Sequence, residues 1–256
     1  MIRAMILILV ALFHIQLIGQ EIILEKKATI EQVYKETFKS EHLLPMNDMN
    51  VEYGYVLYQT EITTESNNSG LELENVRDYA VVYVDGKLQG TLSNNRKKLL
   101  LETSTGKHKL QLYVENIGRI TYGPEILDNS KGLFGSITCD GQEIENWTMV
   151  TLNIKECSFE NLTFKAGIQG GELPSFHQGT FNVISVKNFY LDVSGWGMGE
   201  VWINNKYMGS YWEQEKQQSI QIQSDYLVQG ENKIVVFELK NNQQKTMKLT
   251  DKPIFK

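Results

Sequence analysis

Two periods of apolar residues divide the chain. From Ile30 to Phe38 they fall at Ile30, Val33, Tyr34 and Phe38, three or four residues apart, until Pro45 stops the pattern; the spacing predicts a short N-terminal helix. Beyond it the period falls to two. Tyr53–Ile62 is rich in aromatic and β-branched residues and is followed by the turn sequence Asn67, Asn68, Ser69, Gly70. Similar short stretches recur almost to the C-terminus: Tyr79–Val84, Leu110–Val114, Gly135–Cys139, Met149–Ile154, Thr180–Val183, Phe189–Val193, Val201–Ile203, Ser219–Ile222 and Lys233–Leu239. Gly, Asn and Asp separate them and no helical crossover intervenes, which predicts an all-β protein of antiparallel β-sandwiches.

A weak internal repeat gives the count of sandwiches. Ala80–Gly90 followed by Gly106–Asn116 matches Glu200–Gly209 followed by Gly230–Leu239. Each copy is a strand, a tight turn (Asp85-Gly86; Asn204-Asn205), a return strand ending in Gly, and a Gly-led strand ending near an acidic residue. Asp-Gly and Asn-Asn tolerate the positive φ that a two-residue hairpin turn requires. Two sandwiches follow, over residues 51–160 and 161–256, with a helical segment over 21–50 and a boundary near Lys155–Gly170, where Gly167, Gly170 and Gly171 accumulate.

Ahead of the helix, Met1, Ile2 and Arg3 precede an apolar run from Ala4 to Leu17 broken only by His14 and Gln16. A positive start, an apolar middle and a small residue near a cut site make residues 1–20 a signal peptide, cleaved after Gly19 or Gln20. The uninterrupted apolar stretch falls short of the roughly 20 residues a bilayer needs. The expectation is a secreted or periplasmic protein with no membrane span once the leader is removed. Composition agrees with a folded chain: 41% hydrophobic, 22% charged and four prolines. Its 25 basic and 31 acidic residues give a formal charge of −6, which argues against a nucleic-acid partner.

In an oxidising compartment Cys139 and Cys157, the only cysteines, could pair, though a buried free thiol suits their strand-like surroundings equally. Three sequons, at Asn67, Asn146 and Asn161, are candidate glycosylation sites. The four histidines are scattered and no metal motif appears. Asp78, Asp85 and Asp192 are candidate ligands for a structural calcium, but calcium wants 6 to 8 oxygens from a compact loop, and turn or capping roles fit these aspartates better.

Four stretches resemble the C-terminal jelly-roll, galactose-binding-like domains of family 35 glycoside hydrolases, the β-galactosidases. Tyr53–Thr60 looks like the strand that opens the first of these domains, with Gln59 where the family has Arg. Leu112–Gly123, with Lys131, Gly132, Leu133 and Trp147, is similar to the Val-Glu-Asn … Gly-Arg … Asn-Tyr-Gly signature, with Thr121 for Asn. Asp192–Asn204 looks like the Gly-Trp-Gly-Lys-Gly … Val-Trp-Val-Asn-Gly segment, with Met198 for Lys. Gly209–Trp212 resembles Gly-Arg-Tyr-Trp, with Ser210 for Arg.

The family's activity resides in an N-terminal (β/α)₈ barrel, which takes about 250 residues and holds the two catalytic glutamates. Only about 40 residues precede the first matching strand here. The resemblance therefore implies a non-catalytic accessory or carbohydrate-binding module, with β-galactoside-containing glycans and a separate catalytic barrel chain as partners. The alternatives are a glycosidase fragment or subunit whose barrel is missing or separately encoded, and an interaction scaffold without glycan affinity.

Retaining hydrolysis needs two carboxyl groups about 5 Å apart, and nothing selects a pair among Glu115, Glu125, Glu143, Glu145, Glu200 and Glu238. They are expected to be surface or hairpin carboxylates. The aromatic cluster Trp196, Trp202, Tyr207, Tyr211 and Trp212 is the densest in the chain. Trp202 belongs in a sandwich core, whereas Tyr211 and Trp212 follow a turn and are expected to be partly exposed. The candidate sugar-binding residues are Tyr211, Trp212, Trp196, Arg119 and Tyr122, with Glu115 and Arg119 forming either a structural ion pair or a network that orders the Tyr122-Gly123 loop. No cofactor is expected.

Overall fold

The computed structural model describes residues 19–118, 121–166, 173–240 and 243–256. Arg119, Gly167, Gly170, Gly171 and residues 1–18 of the expected leader lie outside them. Strands are numbered in chain order. An inner six-stranded sheet runs β3 (Tyr34–Ser40), β12 (Trp147–Leu152), β4 (Gly54–Thr64), β9 (Gly106–Asn116), β6 (Tyr79–Val84), β7 (Lys87–Ser93). It is faced by a four-stranded sheet of β11 (Gln142–Glu143), β10 (Gly132–Cys139), β5 (Asn68–Arg77) and β8 (Lys98–Glu102). The second sandwich pairs a six-stranded sheet of β13 (Lys165–Ala166), β2 (Lys26–Thr29), β14 (Ser175–Val183), β19 (Gly230–Glu238), β16 (Met198–Ile203) and β17 (Lys206–Trp212) with a four-stranded one. The latter comprises β1 (Gln20–Ile23), β20 (Thr246–Thr250), β15 (Phe189–Asp192) and β18 (Ser219–Ile222). All the pairings are antiparallel.

The two six-stranded sheets lie back to back, so the molecule has four layers and three cores. Alternation along each inner strand sends one set of side chains into its own sandwich and the other set between the sandwiches. In β6, Ala80, Val82 and Val84 enter the first core, whereas Tyr79, Val81 and Tyr83 enter the middle one. In β19, Ile234 and Val236 enter the second sandwich and Val235 and Phe237 the middle core. Both faces being covered, these strands read as continuous apolar runs rather than alternating ones.

The two copies of the repeat are hairpins β6–β7 and β16–β17. Both turns have positive φ at both central residues (51° and 77° at Asp85-Gly86; 50° and 64° at Asn204-Asn205), the geometry whose twist matches the strands. The first turn residue does more than tolerate this φ. Lys109 N–H donates to Asp85 Oδ1 (2.8 Å) and Asp85 N–H to Lys109 O (3.0 Å). Lys233 N–H donates to Asn204 Oδ1 (2.9 Å) and Asn204 N–H to Lys233 O (2.9 Å). A register shift in the hairpin ladder recurs too, between Val82 and Tyr83 and between Val201 and Trp202.

The expected helix over Ile30–Phe38 is instead one 3₁₀ turn, Ile30–Val33, followed by strand β3. A four-residue spacing between Tyr34 and Phe38 serves a strand face as well as a helix face, and the ladder to β12, which pairs Phe38 with Met149, decides between them. Residues 21–50 are consequently no separate segment. Strands β1 and β2 complete the second sandwich through β20 and β14, and β3 completes the first. The connection between sandwiches places Ile154, Phe159 and Leu162 in the middle core.

Candidate functional site

At one end of the seam between the sandwiches, β6 and β9 of the first meet β17 and β18 of the second around a cleft of about 570 Å³. The first sandwich contributes Asp78, Tyr79, Glu115 and Ile117; the second contributes Met198, the run Met208–Trp212, Gln217 and Ser219–Gln221, among others. Trp212 and Tyr79 meet edge to face across the seam, ring centroids 5.6 Å apart at 73°. The Tyr79 hydroxyl is within hydrogen-bonding reach of Thr91 and of the Trp212 indole N–H across the seam, while Glu115 Oε2, on another lining residue, is a buried acceptor that no donor meets among the described residues. Buried polar groups are normally paired, so the unmet Glu115 oxygen is the exception in this lining. Burial pushes the Tyr79 hydroxyl up to about 12.

Behind the cleft wall a polar network crosses the middle core. Tyr55 Oη lies 3.0 Å from Glu115 Oε1 and 2.8 Å from Glu200 Oε1. The Tyr207 hydroxyl donates to Glu200 Oε2 at 2.6 Å, and Lys155 Nζ pairs with Glu200 Oε1 at 3.1 Å. Glu115 is raised to about 7, chiefly by burial and then by the charge of Glu200. In the second sandwich Glu238 accepts N–H bonds from Gly197, Met198 and Lys240 and has the Tyr211 hydroxyl 3.2 Å away, and burial raises it to about 7 against the pull of those groups.

Glu115, Glu200 and Glu238 were expected at the surface and are instead buried, at 4%, 0% and 1% exposure. Each occupies the inner sheet of a sandwich whose two faces are covered, and hydroxyl, ammonium or N–H groups meet it there. Among the aromatic candidates, Trp202 is core as expected. Trp196 is a core residue of the second sandwich, its Nε1 donating to Thr246 O (3.0 Å); Tyr211 is also buried in that core, with Oη 2.9 Å from Phe237 O, and it borders the cleft lining as well. Trp212, one residue further along β17, points the other way and is half-buried in the cleft. Tyr122 is exposed outside the cleft lining, and Arg119 lies outside the described residues.

Asp78 binds Lys131 Nζ at 2.7 Å, Asp85 binds His108 Nδ1 at 2.6 Å, and Asp192 accepts the Ser194 N–H. Among the described residues no group of three His, Cys, Asp or Glu side chains is placed to hold a metal. Cys139 and Cys157 do not pair: one thiol faces the first core and the other borders the middle core. Burial raises Cys157 to about 11. The sequon residues Asn67, Asn146 and Asn161 are all exposed. Tyr79, Met208 and Gln217 were missed as site residues; their positions 79 and 208–217 are brought together only by the stacking of the sandwiches.

The described residues thus form two stacked antiparallel β-sandwiches with a cleft at their seam. Residues 44–153 match the model "Beta-galactosidase, first all-beta domain", and residues 174–232 match "Beta-galactosidase, galactose-binding domain". The chain belongs to the β-galactosidase family, whose all-β and galactose-binding domains it comprises. It is 36% identical to a β-galactosidase of Xanthomonas manihotis over 171 residues, covering 66% of this chain and 28% of that protein. It is 31% identical to human beta-galactosidase-1-like protein 2 over 200 residues, covering 76% and 31%. The chain thus spans about a third of the length of the curated relatives it matches. A Pleurotus ostreatus lectin solved in complex with GalNAc covers 91% of this chain and 80% of its own at 11% identity, with a TM-score of 0.30, too low to carry an argument.

Proposed function

We propose that the chain is a secreted, non-catalytic accessory module that binds β-galactoside-containing glycans in the seam cleft. The observation that carries this reading is the cleft itself: an aromatic pair, Trp212 and Tyr79, in a concave seam also lined by polar side chains such as Gln217, Gln221 and Glu115. Apolar sugar faces stack on aromatic rings, and sugar hydroxyls exchange hydrogen bonds with amide and carboxyl side chains. Titration calorimetry of the purified chain with galactose, lactose and a β-galactan oligosaccharide tests it. Binding is expected, with loss in a Trp212→Ala variant that still melts cooperatively; absence of heat with all three sugars overturns it.

The length relationship to the relatives favours a second reading, in which these sandwiches serve a catalytic barrel carried on another chain. Two sandwiches occupy the described residues, so the purified chain is expected not to turn over a chromogenic β-galactoside alone. Turnover abolished by a single Glu→Gln change would contradict that expectation. Secretion rests on the apolar leader; the exported chain is expected to begin at Gln20 or Glu21, checked by N-terminal sequencing.

A further inference from the structure

One wall of the cleft is built on the loop that joins β17 to β18, residues 213–218, which brings Glu215 and Gln217 into the lining. Residues 214–217 are exposed, so core packing does little to hold this loop in one conformation. Main-chain bonds to a second segment hold it instead. Beyond β20, residues 253–256 lie along the loop: Gln218 N–H donates to Ile254 O (2.8 Å), Ile254 N–H to Ser219 Oγ (2.9 Å) and Lys256 N–H to Lys216 O (3.0 Å). The Lys256 ammonium donates to Glu213 O, and Gln217 and Phe255 form an isolated antiparallel bridge. The buried Gln218 passes these contacts on to the cleft. Its side-chain amide donates to Glu215 O and reaches Trp212 O (3.4 Å), and its carbonyl accepts the Val193 N–H (3.0 Å). Trp212 and Val193 both line the cleft. None of residues 253–256 lines the cleft or belongs to an apolar core among the described residues, so the contacts to the loop are what this segment contributes.

Resting on the carbohydrate-binding reading above, we infer that residues 253–256 are a positioning strap: they pin the 213–218 loop so that Gln217 and Trp212 are ordered before a ligand arrives. The experiment compares the full chain with one that stops after Lys252, by calorimetric titration with lactose, thermal melting and amide hydrogen exchange. Glu213 N–H and Glu215 N–H are the reporters, because their acceptors, Gly197 O and Trp212 O, remain in the shortened chain. The shortened chain is expected to bind lactose about tenfold more weakly and to exchange both reporter amides at least about tenfold faster. Strands β4 and β9 are expected to keep their slow exchange, and the melting temperature to stay within a few degrees of the full chain. Phe255→Ala, which alters an exposed side chain and keeps the main-chain bonds, is expected to match the full chain throughout. Reporter amides as slow as in the full chain, or an unchanged lactose affinity, overturn the inference while sparing the sugar-binding reading. Loss of protection in β4 and β9 overturns it as well, since the segment would then support the whole fold rather than the cleft wall. A full chain that binds no lactose removes the sugar-binding reading, and the reporter amides still decide whether the strap holds the loop.

Discussion

Glu115 and Glu200 reach Tyr55 from opposite sandwiches, and one phenolic hydrogen cannot be donated to both. Glu200, which also meets a lysine and a second tyrosine, takes the Tyr55 hydrogen at the shorter distance, 2.8 Å. The Glu115 contact is then completed when Glu115 carries its own proton and donates to Tyr55, which accords with its rise to about 7 from 4.5. A carboxyl raised on folding favours the fold while protonated: the contribution is complete below about pH 4.5 and is lost as pH rises through 7. Two and a half units correspond to at most ~3 kcal/mol. Glu238 acts with the same sign. His177, buried and lowered to about 3, acts oppositely, favouring the fold above pH 6.5 and losing that contribution as pH falls towards 3. The two glutamates outweigh the one histidine between pH 5 and 8, so the chain is predicted to melt several degrees higher at pH 5, and Glu115→Gln to narrow the gap. Equal melting temperatures at the two pH values in the native chain would count against the shared-proton arrangement. Residue-level legibility was partial for a related reason. Tyr211 and Trp212 are adjacent and must face opposite sides of β17, but with both sides covered no polar neighbour in the sequence says which side is core.

The hairpin turns and Gly199 are where element-scale chemistry is most exact. Asn204→Ala removes the acceptor for Lys233 N–H and the Nδ2 bond to Tyr226 O and puts Ala at φ 50°. It is expected to destabilise by about 2 kcal/mol, whereas Asn205→Gly, at φ 64°, is expected to be neutral or slightly stabilising. Denaturant midpoints of the two variants check the contrast; equal losses would disprove the turn assignment. Gly199 is spare for a different reason: an added Cβ would lie 1.8 Å from Phe237 O, forcing β16 off β19. Gly199→Ala is predicted to cost several kcal/mol, measurable by thermal melting. The strands and both turns were legible because Asp-Gly, Asn-Asn and β-branched runs act locally. Strands β1 and β2, four residues each, were not, since so short a stretch displays no period.

At the scale of the molecule, the middle core decides what can stand alone. Phe176, Trp202, Val235 and Phe237 of the second sandwich pack there against Tyr55, Val81, Tyr83 and Tyr113 of the first. Phe237 contacts Tyr55 edge to face at 5.5 Å. A fragment of residues 161–256 would expose that face and lack β1 and β2, so it is predicted to be insoluble or unfolded, whereas the full chain melts in one transition; a soluble, cooperatively folded fragment would show the sandwiches to be independent. The repeat announced two sandwiches, but their stacking lies beyond local pattern, because both faces of an inner strand read as the same apolar run. The cleft is a product of that stacking, which is why Trp212 was legible as a candidate and Tyr79, its partner across the seam, was not. The most direct test of the central claim is a crystal structure of the chain grown with saturating lactose. The sugar is predicted to lie in the seam cleft against Trp212 and Tyr79 with a hydroxyl on Glu115; an empty cleft, or lactose bound on another face, would contradict it.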